Sequence, residues 1–553
     1  MKRSVSLVCK LSVIFILFPV LISAQDLLSS GSIHGNFQSH MQFYKSDSVI
    51  GAPDVPETIL MNSFANIIYN NGNFTAGLRF ESYLNPVLGF DSRYEGTGIP
   101  YRFATYKKDD FEITVGNFYE QFGSGLILRA YEERNLGYDN AFDGIRIKYN
   151  PFKGFHVKGL IGKQRFFWEK GEGVVRAFDG EIFLNDAIPL LNNSKTRIIA
   201  GGSFVSKYQE DADPIYKLPE NVSSYAGRLS LSRGKVSLLG EYAYKINDPN
   251  SVNNLIYKNG EALYLVANYV QKGLGVSLAA KRIDNMDFRS ERSATGNNLL
   301  INFIPELSKQ HTYSLSSIYP YATQPNGEMG FESEISYTIP KKTILGGKYG
   351  TTITLNYSQM NSIDRQPPDD TAMIGESGTL GYTSEFFKLG EDVYFRDFNV
   401  DISHKFNRKF KVIFSYLNLE YDIAVIEGHV GDPKVFANIG IADMTYKISA
   451  KKALRMEVQH LSTKQDEGDW AMMLLEYTIA PKWFFSIMDQ YNYGNPESSL
   501  QVHYYTAGIG FTKNTNSIML TYGRQKEGII CVGGVCRVVP ASNGLSLVIT
   551  SSF

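Results

Sequence analysis

Apolar and polar residues alternate one for one along segment after segment of this chain. In 33–43, Ile33, Gly35, Phe37, Ser39, Met41 and Phe43 fall on one face, and His34, Asn36, Gln38, His40 and Gln42 on the other. A period of two belongs to a strand, whose successive side chains point to opposite faces. The same pattern sets Ile145, Ile147 and Tyr149 against Arg146 and Lys148, and Phe398, Val400 and Ile402 against Asp397, Asn399, Asp401 and Ser403. It sets Phe436, Gly440, Ala442, Met444, Tyr446 and Ile448 against Asp443, Thr445 and Lys447. One face suits lipid and the other water, and such segments predict roughly 22–24 strands of about ten residues, long enough to cross a bilayer at a tilt.

Alternation also describes a soluble sandwich, so the connections have to decide. Short turns at 70–73, 107–110, 150–153, 232–235, 407–409 and 513–516 alternate with long loops at 44–59, 120–141, 285–328, 361–392, 423–435 and 526–543. Short turns on one side and long loops on the other is the asymmetry of an outer-membrane barrel. No fixed-length repeat points to a propeller or solenoid. The expected fold is all-β, a single-chain transmembrane antiparallel β-barrel.

At the N-terminus Lys2, Arg3 and Lys10 precede the apolar run Leu11 to Leu21 and the exit Ile22-Ser23-Ala24. That order reads as a secretory signal peptide over 1–24, cleaved after Ala24 with loss of Cys9. The mature barrel then covers 25–553. At the other end Leu545, Leu547, Ile549, Ser551 and Phe553 share one face of a strand ending on an aromatic residue. Leu547, Ile549 and Phe553 resemble the signal that the barrel-assembly machinery reads on outer-membrane proteins, Ser551 departing from the usual apolar residue. Over the mature chain the pattern is similar to a porin-like outer-membrane barrel family of Bacteroidota without a settled function. Its most distinctive stretches here are 116–123, 137–144 and 319–328. The resemblance implies an outer-membrane location and a fold, not a mechanism.

Composition narrows the alternatives. After the leader no run of about 20 apolar residues could form a spanning helix, and a closed barrel is the remaining way to satisfy every backbone amide in lipid. The 55 Lys and Arg nearly balance the 56 Asp and Glu, and loss of three leader bases takes the net charge from −1 to −4. Nucleic acid, which needs a basic face, is not an expected partner. The eight His are scattered, and no His-Glu-x-x-His, Gly-x-Ser-x-Gly or P-loop appears. His34 and His40 lie about 20 Å apart along one strand, too far to share an ion. No enzyme activity, metal or cofactor is expected.

Function then rests on loops and lumen. In 120–141, Glu120, Arg129, Glu132, Glu133, Arg134 and Asp139 mix with Phe122, Leu126, Ile127, Leu128 and Tyr131. Such a loop either folds into the lumen and narrows it, as selectivity elements do, or stays outside with its charges solvated. Arg146 and Lys148 complete the set of lumen or constriction candidates. The Tyr- and Pro-rich segment 303–328 either offers a sticky surface to a protein or glycan or folds over the mouth and packs on itself. Two functions follow: a channel for small solutes, or a non-enzymatic barrel subunit of a larger outer-membrane assembly or secretion complex, with extracellular loops docking its protein partners. Outer-membrane lipids are partners in either. Finally, Cys531 and Cys536 flank Gly533-Gly534, a favourable two-residue hairpin turn, and predict a disulfide across an external hairpin.

Overall fold

The computed structural model describes residues 31–532 and 535–553, so the leader, its cleavage point and Gly533-Gly534 lie outside the described residues. Among the described residues 24 strands form one sheet, beside two two-stranded ones. The first strand, Ser32–Lys45, pairs antiparallel with Leu60–Asn71, and each later strand pairs antiparallel with the next along the chain. The last, Ser542–Ser552, returns to the first with Met41 opposite Leu547 and Ser39 opposite Ile549. Gly35 and Phe553 complete the seam by exchanging both backbone hydrogen bonds at 3.0 Å. The barrel is closed, which leaves no unpaired sheet edge. Strands ~4.8 Å apart and tilted near 40° give it a diameter of about 48 Å between backbones.

The alternation read from sequence is the inside–outside alternation of the wall. Ile145, Ile147 and Tyr149 are outward and exposed, whereas Arg146 and Lys148 turn inward to meet Glu120. Outward aromatics gather near the short turns: Phe74, Tyr106, Phe111, Tyr149, Tyr337, Phe406, Tyr446 and Trp483. A second set, Tyr225, Tyr242, Phe436, Tyr505 and Tyr522, lies nearer the long loops. Two aromatic bands bordering an apolar belt mark a wall built to face lipid.

The inner face departs from the expectation of a uniformly polar lumen. Val175, Ala177, Val205, Val222, Ala226 and Ile283 are buried inward in one arc, and Leu417, Leu419, Ile439, Leu461, Trp470 and Met472 in another. A face meant for water would not carry them. They are covered by the chain's own loops, so across these arcs the sheet is apolar on both faces. The short-turn end also holds two longer connections, a helical turn at Leu184–Ala187 followed by Pro189–Leu191, and residues 340–350.

Candidate functional site

Two loops occupy the lumen at the long-loop end. The first, 119–141, turns inward immediately after the strand Phe111–Phe118. Phe122, Leu126, Ile127 and Leu128 are fully buried against the first apolar arc, each contributing ~1.5–3 kcal/mol by removal from water. Gly123 takes a positive φ of 52°, and Glu241 from the wall accepts the Ser124 N–H at 2.7 Å. Gly125 and Gly137 also have positive φ, a conformation that glycine adopts without steric cost.

The second, 285–326, has two lobes. Residues 285–304 lie on the first loop: the Arg129 N–H donates to Ile301 O at 2.8 Å and the Phe303 N–H to Gly125 O at 2.9 Å. Asn140 and Gln164 both donate to Leu300 O, at 2.8 and 2.7 Å. Residues 305–326 run the other way as a strap along the inner wall. His311 meets Asp397 at 2.7 Å, Tyr313 donates to Asp443 at 3.2 Å, the Leu315 N–H to Gln459 at 2.9 Å, and Tyr319 to Asp466 at 2.9 Å. Lys309 pairs with Asp401. Leu307, Leu315, Tyr319 and Tyr321 pack on the second apolar arc. The segment 303–328, expected either to offer a sticky surface or to fold over the mouth and pack on itself, instead packs against the inner wall.

Above them lies the hairpin of strands Gly528–Val532 and Val535–Val539, with Cys531 opposite Cys536 and a disulfide between them. Asn297 from one lobe donates to Cys536 O at 2.6 Å, and Gln310 from the other to Cys531 O at 3.4 Å. The hairpin thus bridges the two lobes. Its ring closes few residues and restrains little of the unfolded chain. Reduction should leave heat-modifiable migration of the barrel unchanged while proteolysis within 528–539 accelerates; a barrel that loses its migration shift on reduction would contradict this.

The candidate charges form two clusters and an outlier. Glu120 meets Lys148 at 3.0 Å, Lys158 at 3.1 Å and Arg146 at 3.5 Å, while Arg146 also meets Glu112 at 2.9 Å. In the second cluster Arg79 pairs with Glu81 and Glu132, each at 2.7 Å, and with Asp139. Arg165 joins Glu81 at 2.6 Å and Asp139 at 2.7 Å. Arg134 pairs with Glu132 at 2.7 Å and lies over Phe64. Glu133 caps the following turn by accepting the Asn135 N–H at 3.2 Å. Arg129 stands apart, stacked 4.5 Å from the centre of Tyr131 and 4.0 Å from that of Phe303. The charges of 119–141 fasten that loop to the wall.

Burial opposes ionisation of Asp139, but Arg165 and Arg79 outweigh it and hold its pKa below the usual carboxylate range. At Glu120 burial is likewise outweighed, by Lys158 and Lys148. A depressed folded pKa stabilises docking above the unfolded value, near 4, and that stability is lost as pH falls through the folded value. Hydrogen-exchange protection over 119–141, after correction for the intrinsic pH dependence of amide exchange, should therefore be flat from pH 7 down to about 4 and fall only below it. Loosening near pH 6 would show that other groups control the loop.

Arg79, Glu81 and Arg165 escape a loop-centred reading because they sit on strands. The inward positions opposite outward Leu78 and Phe80 are the signal that could have found the first two. Lys207 and Lys245, fully buried on the inner wall, were missed likewise; Lys207 pairs with Asp248 at 2.7 Å and Lys245 donates to Asp287 O.

Residues 1–553 match the family of unknown function DUF6029. The chain belongs to this family. No curated protein matches it. Among solved structures it is similar to the siderophore receptor PirA of Pseudomonas aeruginosa, with TM-score 0.42 and 10% identity, over 94% of this chain and 80% of that one. It is also similar to the translocation pore of the P pilus usher PapC, with TM-score 0.40 and 8% identity over 94% and 99%. A third is OccAB3 of Acinetobacter baumannii, with TM-score 0.34 and 10% identity over 95% and 99%. These scores are low, and the barrel's architecture rests on its own strand pairing.

Proposed function

We propose that this family member is a porin-like barrel of a Gram-negative outer membrane, made with a signal peptide over 1–24 and passing small solutes through a lumen that its own loops hold closed. One observation carries the reading: the apolar arcs of the inner wall form common buried clusters with Phe122, Leu126, Ile127 and Leu128 and with Leu307, Leu315 and Tyr319. A wall apolar on both faces is stable only while those loops stay docked, so passage requires them to move. Glu120, Arg146 and Lys148, in the lumen beneath the first loop, are the charges a passing solute would meet. The test is solute entry into liposomes carrying the full-length mature chain, compared with a chain whose strap is excised. Equal permeability of the two, with both barrels inserted, overturns the channel reading.

A second reading, a barrel subunit of an outer-membrane assembly, is favoured by a crest of three loops at the long-loop end. Ile215, Met373 and Phe387 are 81%, 72% and 78% exposed there, on the loops 209–220 and 364–388, both tied to the loop 246–259 by the Tyr257 hydroxyl to Lys217 O at 3.0 Å, Tyr257 N–H to Thr379 O at 2.8 Å and Gly378 N–H to Leu255 O at 3.1 Å. Ordered, exposed apolar groups are what a protein partner covers. A stoichiometric companion on extraction from native membranes supports this reading; a lone barrel with conductance supports the first.

A further inference from the structure

Where the two lumen loops, the segment 425–428 and the disulfide hairpin meet, they enclose a cavity of about 660 Å3. Its rim at Gly296 and Gly428 is exposed, while Asp287, Asn302 and Tyr138 deeper in are buried. The volume lies within the ~300–1,000 Å3 of small-molecule sites.

We propose that this cavity binds a neutral carbohydrate of one or two sugar rings. Its lining joins aromatic rings to uncharged hydrogen-bonding groups. Tyr131 lies 4.8 Å from Tyr138 and 6.0 Å from Phe303, centre to centre, giving a ring wall against which the C–H face of a sugar can lie. Asn297, Asn302, Thr323 and Gln324 supply amides and a hydroxyl around it.

Charge excludes the competing classes. Arg289 is neutralised by Asp287 at 2.9 Å, and Arg129 lies stacked on the Tyr131 and Phe303 rings outside the cavity lining, so no lining cation stands free to hold a carboxylate or phosphate. The remaining acid, Glu427, accepts the Tyr421 hydroxyl at 2.9 Å and adds a negative rather than a positive group to the lining. A site of aromatic rings with neutral donors and acceptors suits polyols. The rigid frame, held by the disulfide and by the bonds from Asn297 and Gln310, reduces the ordering cost of binding.

The inference does not depend on whether the lumen conducts, and a binding measurement separates the two. Full-length mature protein in detergent is titrated calorimetrically with maltose, cellobiose and di-N-acetylchitobiose, and in contrast with glucuronate and a neutral tripeptide. At least one disaccharide should saturate and should slow hydrogen exchange at 322–325 and 425–428. Phe303→Leu and Gln324→Ala, each checked for heat-modifiable migration, should weaken it by roughly tenfold. The proposal is overturned if no disaccharide saturates, if glucuronate or the tripeptide binds more tightly, or if both variants bind as the parent does.

Discussion

Excising the strap should turn a quiet barrel into a conducting one. Residues 306–324 can be replaced by a short Gly-Ser linker because both ends lie beside the end of the strand Leu274–Asp284: Lys281 on that strand donates to Pro305 O at 2.7 Å, and the Met286 N–H, just beyond it, to Pro325 O at 2.8 Å. Removal uncovers the arc of Leu417, Ile439, Leu461 and Trp470 and empties one side of a lumen wide enough for an aqueous pore. In planar bilayers the parent should show rare, small openings, and the excised variant a steady conductance larger on the order of tenfold or more. A milder variant, Leu315→Asp, places a charge where Leu315 is fully buried. It should undock the strap without shortening the chain and raise conductance in the same direction. If both variants insert and stay as quiet as the parent, the strap is not the barrier.

The strands were legible wherever the lumen is polar and illegible where it is not. In 396–403 the inward residues are Asp397, Asn399 and Asp401, and the period of two stands out. In the strand Glu169–Phe183 the inward positions include Val175 and Ala177 beside outward Phe178, so alternation dissolves and only a range of strand numbers could be read. The physical cause is the plug itself, because a wall that packs against loops has no reason to be hydrophilic. The disulfide was legible because its determinants are local, two cysteines about a glycine pair. The charge clusters were not. Glu81 and Arg165 meet only when the ring of strands has closed, and a sequence shows the loop half of each ion pair without its partner on the wall.

This division also says where the energy of docking resides. The apolar contacts of Phe122 to Leu128 are large but undirected, and similar side chains could slide along the arc. Register comes from the buried charges, which tolerate one arrangement. At 0% exposure Glu81 is the centre of that arrangement: Arg79 approaches one oxygen at 2.7 Å, Arg165 the other at 2.6 Å, and Tyr83 donates to it at 3.1 Å.

Glu81→Gln should therefore release the first loop more than any single apolar truncation within it. The substitution keeps size and shape but leaves two buried guanidinium groups to share Asp139 and Glu132, and breaking a buried pair by removing one partner costs about 3–5 kcal/mol. That is roughly a thousandfold rise in the open population of 119–141, to be read as lost hydrogen-exchange protection and new protease cleavage in that loop. The barrel should keep its heat-modifiable migration, since the strand pairing is untouched. Removing the charges together, as Arg79→Met, Glu81→Leu, Asp139→Asn and Arg165→Leu, leaves no buried charge unpaired, because Glu132 retains Arg134 at 2.7 Å. That combination should restore most of the protection despite four substitutions, as replaced buried ion networks do. If Glu81→Gln leaves exchange unchanged, or the fourfold variant is looser than the single one, the ion network does not hold the loop and the apolar face docks it unaided.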